Sequence, residues 1–139
     1  MMDFEEYIGP FARHNHMEIV SMSPEQCIVK VELRPESKNL FGFAHGGLMG
    51  GMADCAAGIA ARADGDDFIT INCSYCYLRN VTSGTIYAQA DTVKRGGHLI
   101  VFRVSVYDDA HEVLMEGLTE MTRVIKNHKK QLSPFAGVC

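Results

Sequence analysis

The chain has 139 residues, of which 47 % are hydrophobic and 22 % charged, and this composition suits one domain with a sizeable core. A net charge of -4 and a pI near 5.8 argue against a nucleic-acid-binding protein, which needs a basic face. The N-terminal residues lack the basic and apolar regions of a signal peptide, and the run 48–61 is too short and too rich in Gly and Ala to span a membrane. We therefore expect a cytoplasmic protein without a membrane segment.

The first half of the chain predicts short elements followed by one long helix. Residues 3–13 predict a short helix that breaks near Gly9-Pro10. Residues 17–22 and 27–33 predict two strands of a hairpin, because apolar and polar side chains alternate in the second. A loop over 34–44 precedes a helix over 46–63, which ends at the turn 64–67.

The second half predicts a meander of long strands over 68–78, 86–91, 100–106 and 113–124, joined by turns that include 94–98 and 108–111. The polar tail, 126–139, is expected to be loose. Together, these elements predict one α+β domain, in which a curved antiparallel sheet wraps around a central helix. One helix does not cover every face and edge of such a sheet, so we expect a dimer or a larger assembly.

The chain has five cysteines. Because this number is odd and the spacing shows no disulfide framework, we expect reduced thiols. Cys73 and Cys76 have the spacing of a metal or redox motif. They lie in a predicted strand, however, where residues three apart point to opposite faces. We therefore predict no metal site.

The predicted helix 46–63 carries one acidic residue, Asp54, among Gly, Ala, Leu, Met, Ile and Cys. Burying an acid is costly unless it is paired or hydrogen-bonded, which marks Asp54 as a candidate site residue. Gly46 and Gly47 begin the helix, where free N–H groups and the positive dipole end suit a carbonyl oxygen that gains negative charge. The alternative is a satisfied structural acid behind a glycine-rich turn.

A family resemblance rests on the order of elements together with Asn39, Gly42, His45-Gly46-Gly47 and Asp54. This pattern resembles the hotdog-fold acyl-CoA thioesterases, and most of all the phenylacetate-pathway (PaaI-like) group, over residues 17–125. The resemblance implies the hotdog fold and hydrolysis of an acyl- or aryl-acyl-CoA to the free acid and coenzyme A. It implies no cofactor, since coenzyme A is part of the substrate.

The resemblance also implies roles for individual residues. Asp54 matches the catalytic carboxylate, acting as general base on water or as nucleophile. Gly47 or Gly46 matches the N–H group that polarises the thioester carbonyl, and Asn39 matches the side chain that holds the water or the thioester oxygen. His45 matches the histidine that orients this turn, and Thr70 matches the Ser or Thr whose hydroxyl lies near the catalytic water.

Substrate contacts implied by the resemblance lie at the ends of strands. Arg95, Gly96, Gly97 and His98 fall in a turn that resembles the coenzyme A contact region, and Tyr77 is a further substrate-contact candidate. Plain solvated turn residues are the alternative interpretation of Arg95 and His98. The sequence does not distinguish between aromatic, medium-chain and long-chain acyl groups as the substrate's acyl part.

Helix geometry predicts that two chains share each site. Gly46 and Asp54 are eight residues apart, about 12 Å along one helix, whereas an oxyanion donor and a base must both approach one reacting group. Two antiparallel helices across a two-fold axis satisfy this requirement. The resemblance implies the same arrangement, with Asn39 and Gly47 of one chain facing Asp54 and Thr70 of the other, in a homodimer that forms a dimer of dimers, a homotetramer.

Two other functions compete with the thioesterase. One is a non-catalytic acyl-CoA-binding or regulatory protein on the same fold, and the other is a hotdog hydratase or dehydratase, for which the His-Gly-Gly pattern is not typical. The chain lacks a Gly-x-Ser-x-Gly motif, so a serine hydrolase is not expected.

Overall fold

The computed structural model describes residues 4–125, so the predicted loose tail lies outside the described residues. Two short 3-10 segments, Glu5–Tyr7 and Pro35–Ser37, accompany two helices and six strands. The helices are α1 (Pro10–His14) and α2 (Gly46–Arg62). The strands are β1 (Glu18–Met22), β2 (Gln26–Glu32), β3 (Phe68–Tyr77), β4 (Thr85–Arg95), β5 (Leu99–Tyr107) and β6 (Val113–Arg123).

The six strands form one antiparallel sheet in the order β1-β2-β4-β5-β6-β3. The predicted α+β fold and the predicted hairpin of β1 and β2 are confirmed. The turn predicted over 94–98 is shorter than expected, because β4 continues through Arg95. A register shift after Thr92 lets Lys94 and Arg95 pair with Val101 and Ile100, so only residues 96–98 separate β4 from β5.

Helix α2 packs on one face of the sheet and supplies most of the helical part of the core. Met49, Met52 and Ile59 are buried against strand residues that include Phe102 and Val104. At about 25 cal/mol for each Å² of apolar surface removed from water, such side chains dominate the stability of the fold. They also fix the rotation of α2 about its own axis, and with it the residues that α2 presents outward.

One stripe of α2 is not covered by the sheet. Gly51, Asp54, Cys55 and Arg62 are partly exposed, and Gly58 lies between them. These positions follow the three-to-four-residue period of one helix face. Asp54 therefore lies on the outward face of α2 and not in the middle of the core.

Strand β3 is an edge strand of ten residues that pairs only with β6 among the described strands. Most of its side chains are exposed, including Ile71 and Tyr77. A long edge of this kind presents unpaired backbone groups to another chain. Within residues 4–125, no helix is long and apolar enough to cross a membrane.

Candidate active site

Asp54 meets Thr70 of the neighbouring edge strand. The Thr70 hydroxyl donates a hydrogen bond to Oδ1 of Asp54, and Sγ of Cys73 lies 3.9 Å from the same oxygen. The register of β3 against β6 shifts between Thr70 and Asn72, and a bulge at this point re-aims the side chains around it. The predicted neighbourhood of Asp54 and Thr70 is thus formed within one chain.

The start of α2 is capped by the ring of His45. Its Nδ1 accepts a hydrogen bond of 2.8 Å from the Gly47 N–H, which requires the proton of a neutral ring to lie on Nε2. The Gly46 N–H, by contrast, has no acceptor among residues 4–125. Of the two glycines named from the sequence, Gly46 is the one with a free donor at the helix N-terminus.

Tyr77, the predicted substrate contact, packs on the first turn of α2. Its hydroxyl donates to the Gly46 carbonyl oxygen at 2.8 Å. A Cβ at Gly50 would lie 3.0 Å from the same hydroxyl, so the absence of a side chain there permits this approach. This hydrogen bond fixes the start of α2 relative to the end of β3. The role of Tyr77 in substrate binding stays a prediction.

Asn39 shapes the loop before α2. Its Oδ1 accepts hydrogen bonds from the N–H groups of Phe41 at 2.9 Å and Phe43 at 3.1 Å. The loop exposes two large apolar side chains, Leu40 at 95 % and Phe41 at 79 %. No hydrogen bond within the described chain joins Asn39 to Asp54. The amide nitrogen of Asn39 donates to no described residue, so it is available to a ligand.

Arg95 has a structural position that argues against the predicted coenzyme A contact. Its guanidinium donates to the carbonyl oxygens of Ala60, Ala61 and Pro24, at 2.9, 3.3 and 2.7 Å, and lies 3.5 Å from Asp64. The side chain is 24 % exposed. A cation at the C-terminal carbonyls of a helix satisfies orphan acceptors and complements the helix dipole. The sequence pattern could not show this, because α2 ends more than thirty residues earlier.

The remaining predicted contacts, Gly96, Gly97 and His98, form the short turn between β4 and β5. The Gly96 N–H donates to the Leu99 carbonyl oxygen at 2.8 Å, and His98 is exposed. The turn lies next to the Arg95 anchor at the C-terminal end of α2. Coenzyme A contact by these three residues stays a prediction.

A cleft of about 560 Å³ opens beside Asp54, and we call it the Asp54 cleft. Its floor is the outward stripe of α2, one wall is formed by β3 and β6, and the other by the N-terminal segment 7–12. Asp54 and Thr70 lie at this cleft with mainly apolar neighbours, among them Phe11, Ile59, Phe68 and Met121. Sequence analysis missed the N-terminal wall, for which a large apolar residue, Phe11, in the predicted short helix 3–13 was the available signal.

The thiols of Cys55 and Cys27 are protonated at neutral pH. Burial raises the pKa of Cys55 to about 11 and that of Cys27 to about 12. Since the thiolate is the nucleophilic form, Cys55 does not serve as a nucleophile beside Asp54. No group of His, Cys, Asp and Glu in the described part of the chain could hold a metal ion.

Comparison with known proteins identifies the family. The model of a family described as the thioesterase superfamily matches residues 41–115. The chain belongs to the thioesterase superfamily. The match contains Gly46, Asp54 and Thr70, while Asn39 and the N-terminal wall of the Asp54 cleft lie outside it.

Relatives of this thioesterase support the same assignment. A 1,4-dihydroxy-2-naphthoyl-CoA hydrolase of Listeria monocytogenes is 26 % identical over 132 residues, covering 93 % of this chain and 100 % of that protein. A Mycobacterium tuberculosis protein named as an esterase is 25 % identical over 114 residues, with coverages of 78 % and 81 %. The structure of a mutant of the phenylacetic acid degradation protein PaaI of Thermus thermophilus superposes with a TM-score of 0.78, at 24 % identity, over 84 % of this chain and 100 % of that one. The predicted hotdog fold, the PaaI-like resemblance and the class of thioester hydrolase are confirmed.

Proposed function

We propose that this thioesterase hydrolyses an acyl-CoA to the free acid and coenzyme A, with Asp54 as the catalytic carboxylate. The observation that carries the proposal is the Asp54 side chain itself: one oxygen is held by Thr70, and the residue lies at a mainly apolar cleft. The cleft offers a mainly apolar surface to an acyl group, and a carboxylate beside it can act on water or on the thioester carbon.

Oδ2 of Asp54 is the atom that reacts, because Thr70 and Cys73 both approach Oδ1. As a general base, Oδ2 takes a proton from water while the water oxygen attacks the thioester carbon. The carbon–sulfur bond then breaks, and the thiolate leaves and is protonated. As a nucleophile, Oδ2 attacks the carbon itself and expels the thiolate, and water then hydrolyses the resulting mixed anhydride. Both routes give the same acid and thiol.

The Gly46 N–H is the proposed donor to the carbonyl oxygen, because it lacks an acceptor in the described chain whereas the Gly47 N–H is held by His45. Eight residues, or about 12 Å of helix, separate Gly46 from Asp54 of the same chain. The donor for each Asp54 therefore comes from a second chain, whose α2 runs antiparallel to the first. The unpaired edge of β3 supports a homodimer, since two such edges can join into one sheet.

The experiment is a thiol-release assay with purified protein and a panel of acetyl-, medium-chain, long-chain and aryl-acyl-CoA esters. We expect hydrolysis of at least one ester class. Asp54→Asn should lose several orders of magnitude in turnover while it keeps substrate affinity, measured by calorimetry. Asp91→Asn, a partly exposed carboxylate on β4 that is hydrogen-bonded to Gln26, is the matched control and should retain activity.

The competing function makes a different prediction. A non-catalytic acyl-CoA-binding protein would bind these esters without releasing thiol, and Asp54→Asn would change nothing in the assay. Absence of thiol release would reject the proposed hydrolysis, and release that is unchanged in Asp54→Asn would reject the catalytic role of Asp54.

A further inference from the structure

Strand β6 carries a fully buried hydroxyl group. Among residues 4–125, Thr119 is the one buried residue with a polar side chain, and its exposed fraction is 0 %. Burying a hydroxyl is costly unless it is hydrogen-bonded, whereas a valine of similar size carries no such cost. The partner is Tyr75 of β3, whose hydroxyl oxygen lies 2.6 Å from Oγ1 of Thr119. Packing alone would not favour a polar pair at this position.

The ring of Tyr75 lies between β6 and α2, next to a glycine on each side. Gly117 is its cross-strand partner on β6, and an added Cβ there would lie 2.8 Å from Cδ1 of the ring. On α2, a Cβ at Gly50 would lie 3.6 Å from the ring. Glycine at position 117 thus leaves the space that the ring occupies, and the hydroxyl reaches Thr119, two residues further along β6.

Tyr75 has a second hydrogen-bond partner in Cys73. The two residues are two positions apart on β3, so their side chains lie on the same face of the strand. Burial raises the pKa of Tyr75, the hydrogen bond with Cys73 raises it further, and the bond with Thr119 lowers it. The pKa of a phenol rises when it donates a hydrogen bond and falls when its oxygen accepts one. Tyr75 therefore donates to Cys73 and accepts from Thr119.

Cys73 in turn contacts the proposed catalytic acid, with Sγ 3.9 Å from Oδ1 of Asp54. In a regular strand Thr70 and Cys73 would point to opposite faces. The register shift between Thr70 and Asn72 adds one residue to β3, so both side chains lie on the side that faces α2. An ionised carboxylate only accepts hydrogen bonds. The thiol of Cys73 is therefore the donor to Asp54, and its sulfur is left to accept from Tyr75.

We propose that Thr119, Tyr75 and Cys73 form one hydrogen-bonded chain, whose donors all point toward the catalytic carboxylate, and that they are positioning residues for hydrolysis. This inference rests on the proposed function and deepens it. In such a chain each bond polarises the next. The two hydroxyls therefore act on the carboxylate, although no hydrogen bond of the described chain joins either of them to Asp54 directly. Together with Thr70, the chain keeps Oδ1 occupied and leaves Oδ2 for the reaction.

The first test removes the two hydroxyls in the thiol-release assay. Tyr75→Phe and Thr119→Val should each lower kcat by about 3- to 10-fold, the range that one hydrogen bond supplies, while KM stays within about twofold. Thr119→Ser keeps the hydroxyl and should retain most of the wild-type kcat. The matched control is Tyr107→Phe, which loses a hydroxyl that donates to Gln89 and should leave kcat unchanged. A wild-type kcat in both Tyr75→Phe and Thr119→Val overturns the proposal.

A double-mutant cycle tests whether Tyr75 acts through Cys73. Cys73→Ala breaks the chain next to the acid, so Tyr75→Phe should lower kcat no further in that background. Cys76→Ala, at an exposed position on the opposite face of β3, is the matched control, and in it Tyr75→Phe should cost as much as in the wild type. An equal loss of kcat in the Cys73→Ala and Cys76→Ala backgrounds would mean that the hydroxyl acts by another route, and it overturns the chain.

Infrared spectroscopy tests the chain without catalysis. The S–H stretching band of Cys73 is assigned from its loss in Cys73→Ala, and its frequency falls as the thiol donates a stronger hydrogen bond. Tyr75→Phe, Thr119→Val and Asp54→Asn should each move this band to higher frequency. Such shifts support the chain even if no ester is hydrolysed, in which case only the proposed function fails. A band that stays in place in Tyr75→Phe and Thr119→Val overturns the chain, even if the wild type hydrolyses acyl-CoA.

Discussion

The hydroxyl of Thr70 donates its hydrogen bond to Oδ1 of Asp54, and neither residue is fully buried. The bond joins the outward stripe of α2 to the edge strand β3. It holds the carboxylate through one oxygen and leaves the other without a protein donor among the described residues. The same contact therefore orients the acid and keeps an atom for the reaction.

Thr70→Val removes the donor while keeping the shape of the side chain. We expect kcat to fall by about 10- to 100-fold, the range that a hydrogen bond to a charged group supplies. Thr70→Ser keeps a hydroxyl and should stay within a few-fold of the wild type in the thiol-release assay. Equal activity of the Val and Ser variants would show that the orientation of Asp54 does not depend on this bond.

The variants Gly46→Pro and Gly46→Ala distinguish the effect of losing the Gly46 N–H from the effect of adding a side chain at the start of α2. Proline is well accepted at the first helical position, and His45, at φ -68° and ψ 132°, already has the conformation preferred before proline. Both variants add a Cβ near Tyr77, but only proline removes the N–H. We expect Gly46→Pro to lose about 100- to 1,000-fold in kcat and Gly46→Ala to keep most of it. Similar kcat values for two folded variants, checked by thermal melting, would exclude this donor.

A mixed dimer tests whether Gly46 and Asp54 of one site come from two chains. Asp54→Asn and Gly46→Pro chains, each inactive alone, are co-expressed with different tags, and the mixed dimer is purified. One site then carries both defects and the other carries neither, so about half of the wild-type activity should return. If both groups came from one chain, every site would carry a defect and a folded mixed dimer would stay inactive.

Arg95→Met should affect stability rather than substrate binding. The guanidinium serves three carbonyl oxygens and Asp64, so its loss should lower the free energy of unfolding by about 2 to 3 kcal/mol. KM for acyl-CoA should stay within about twofold. Lys94→Met, on the same strand but exposed, is the control for the added apolar side chain. A raised KM with unchanged urea unfolding would restore the coenzyme A contact expected from the sequence.

Alkaline pH should destabilise the protein through Cys27 and Cys55. In the folded state burial raises their pKa values to about 12 and about 11, against 9.0 ordinarily. Above pH 9 the unfolded chain loses these protons while the folded chain retains them, so stability falls as pH rises. Between pH 8 and pH 10 we expect a loss of about 1 to 3 kcal/mol in urea unfolding. The double variant Cys27→Ala/Cys55→Ala should be less stable at pH 8, but its free energy of unfolding should depend less on pH in this window. An unchanged slope of this free energy against pH would contradict the assignment of the effect to the two thiols.

Local patterns in the sequence were enough for the secondary structure and for marking Asp54 as the candidate acid. Alternation of apolar and polar side chains depends only on near neighbours, and it predicted the strands to within a few residues. The lone Asp54 in a Gly- and Ala-rich helix was visible in the same way, and so was the distance along α2 that separates it from Gly46.

Contacts between distant parts of the chain were decided by the tertiary structure alone. Arg95 anchors the end of a helix 35 residues away, and Phe11 covers a glycine 40 residues away. Packing of Met49, Met52 and Ile59 against the sheet sets the rotation of α2 and turns Asp54 outward toward Thr70. The residues proposed to bear the chemistry could be singled out from the sequence, because their types are unusual where they stand. The wall of the Asp54 cleft and the structural role of Arg95 could not, because burial and hydrogen bonding depend on which surfaces meet when the chain folds.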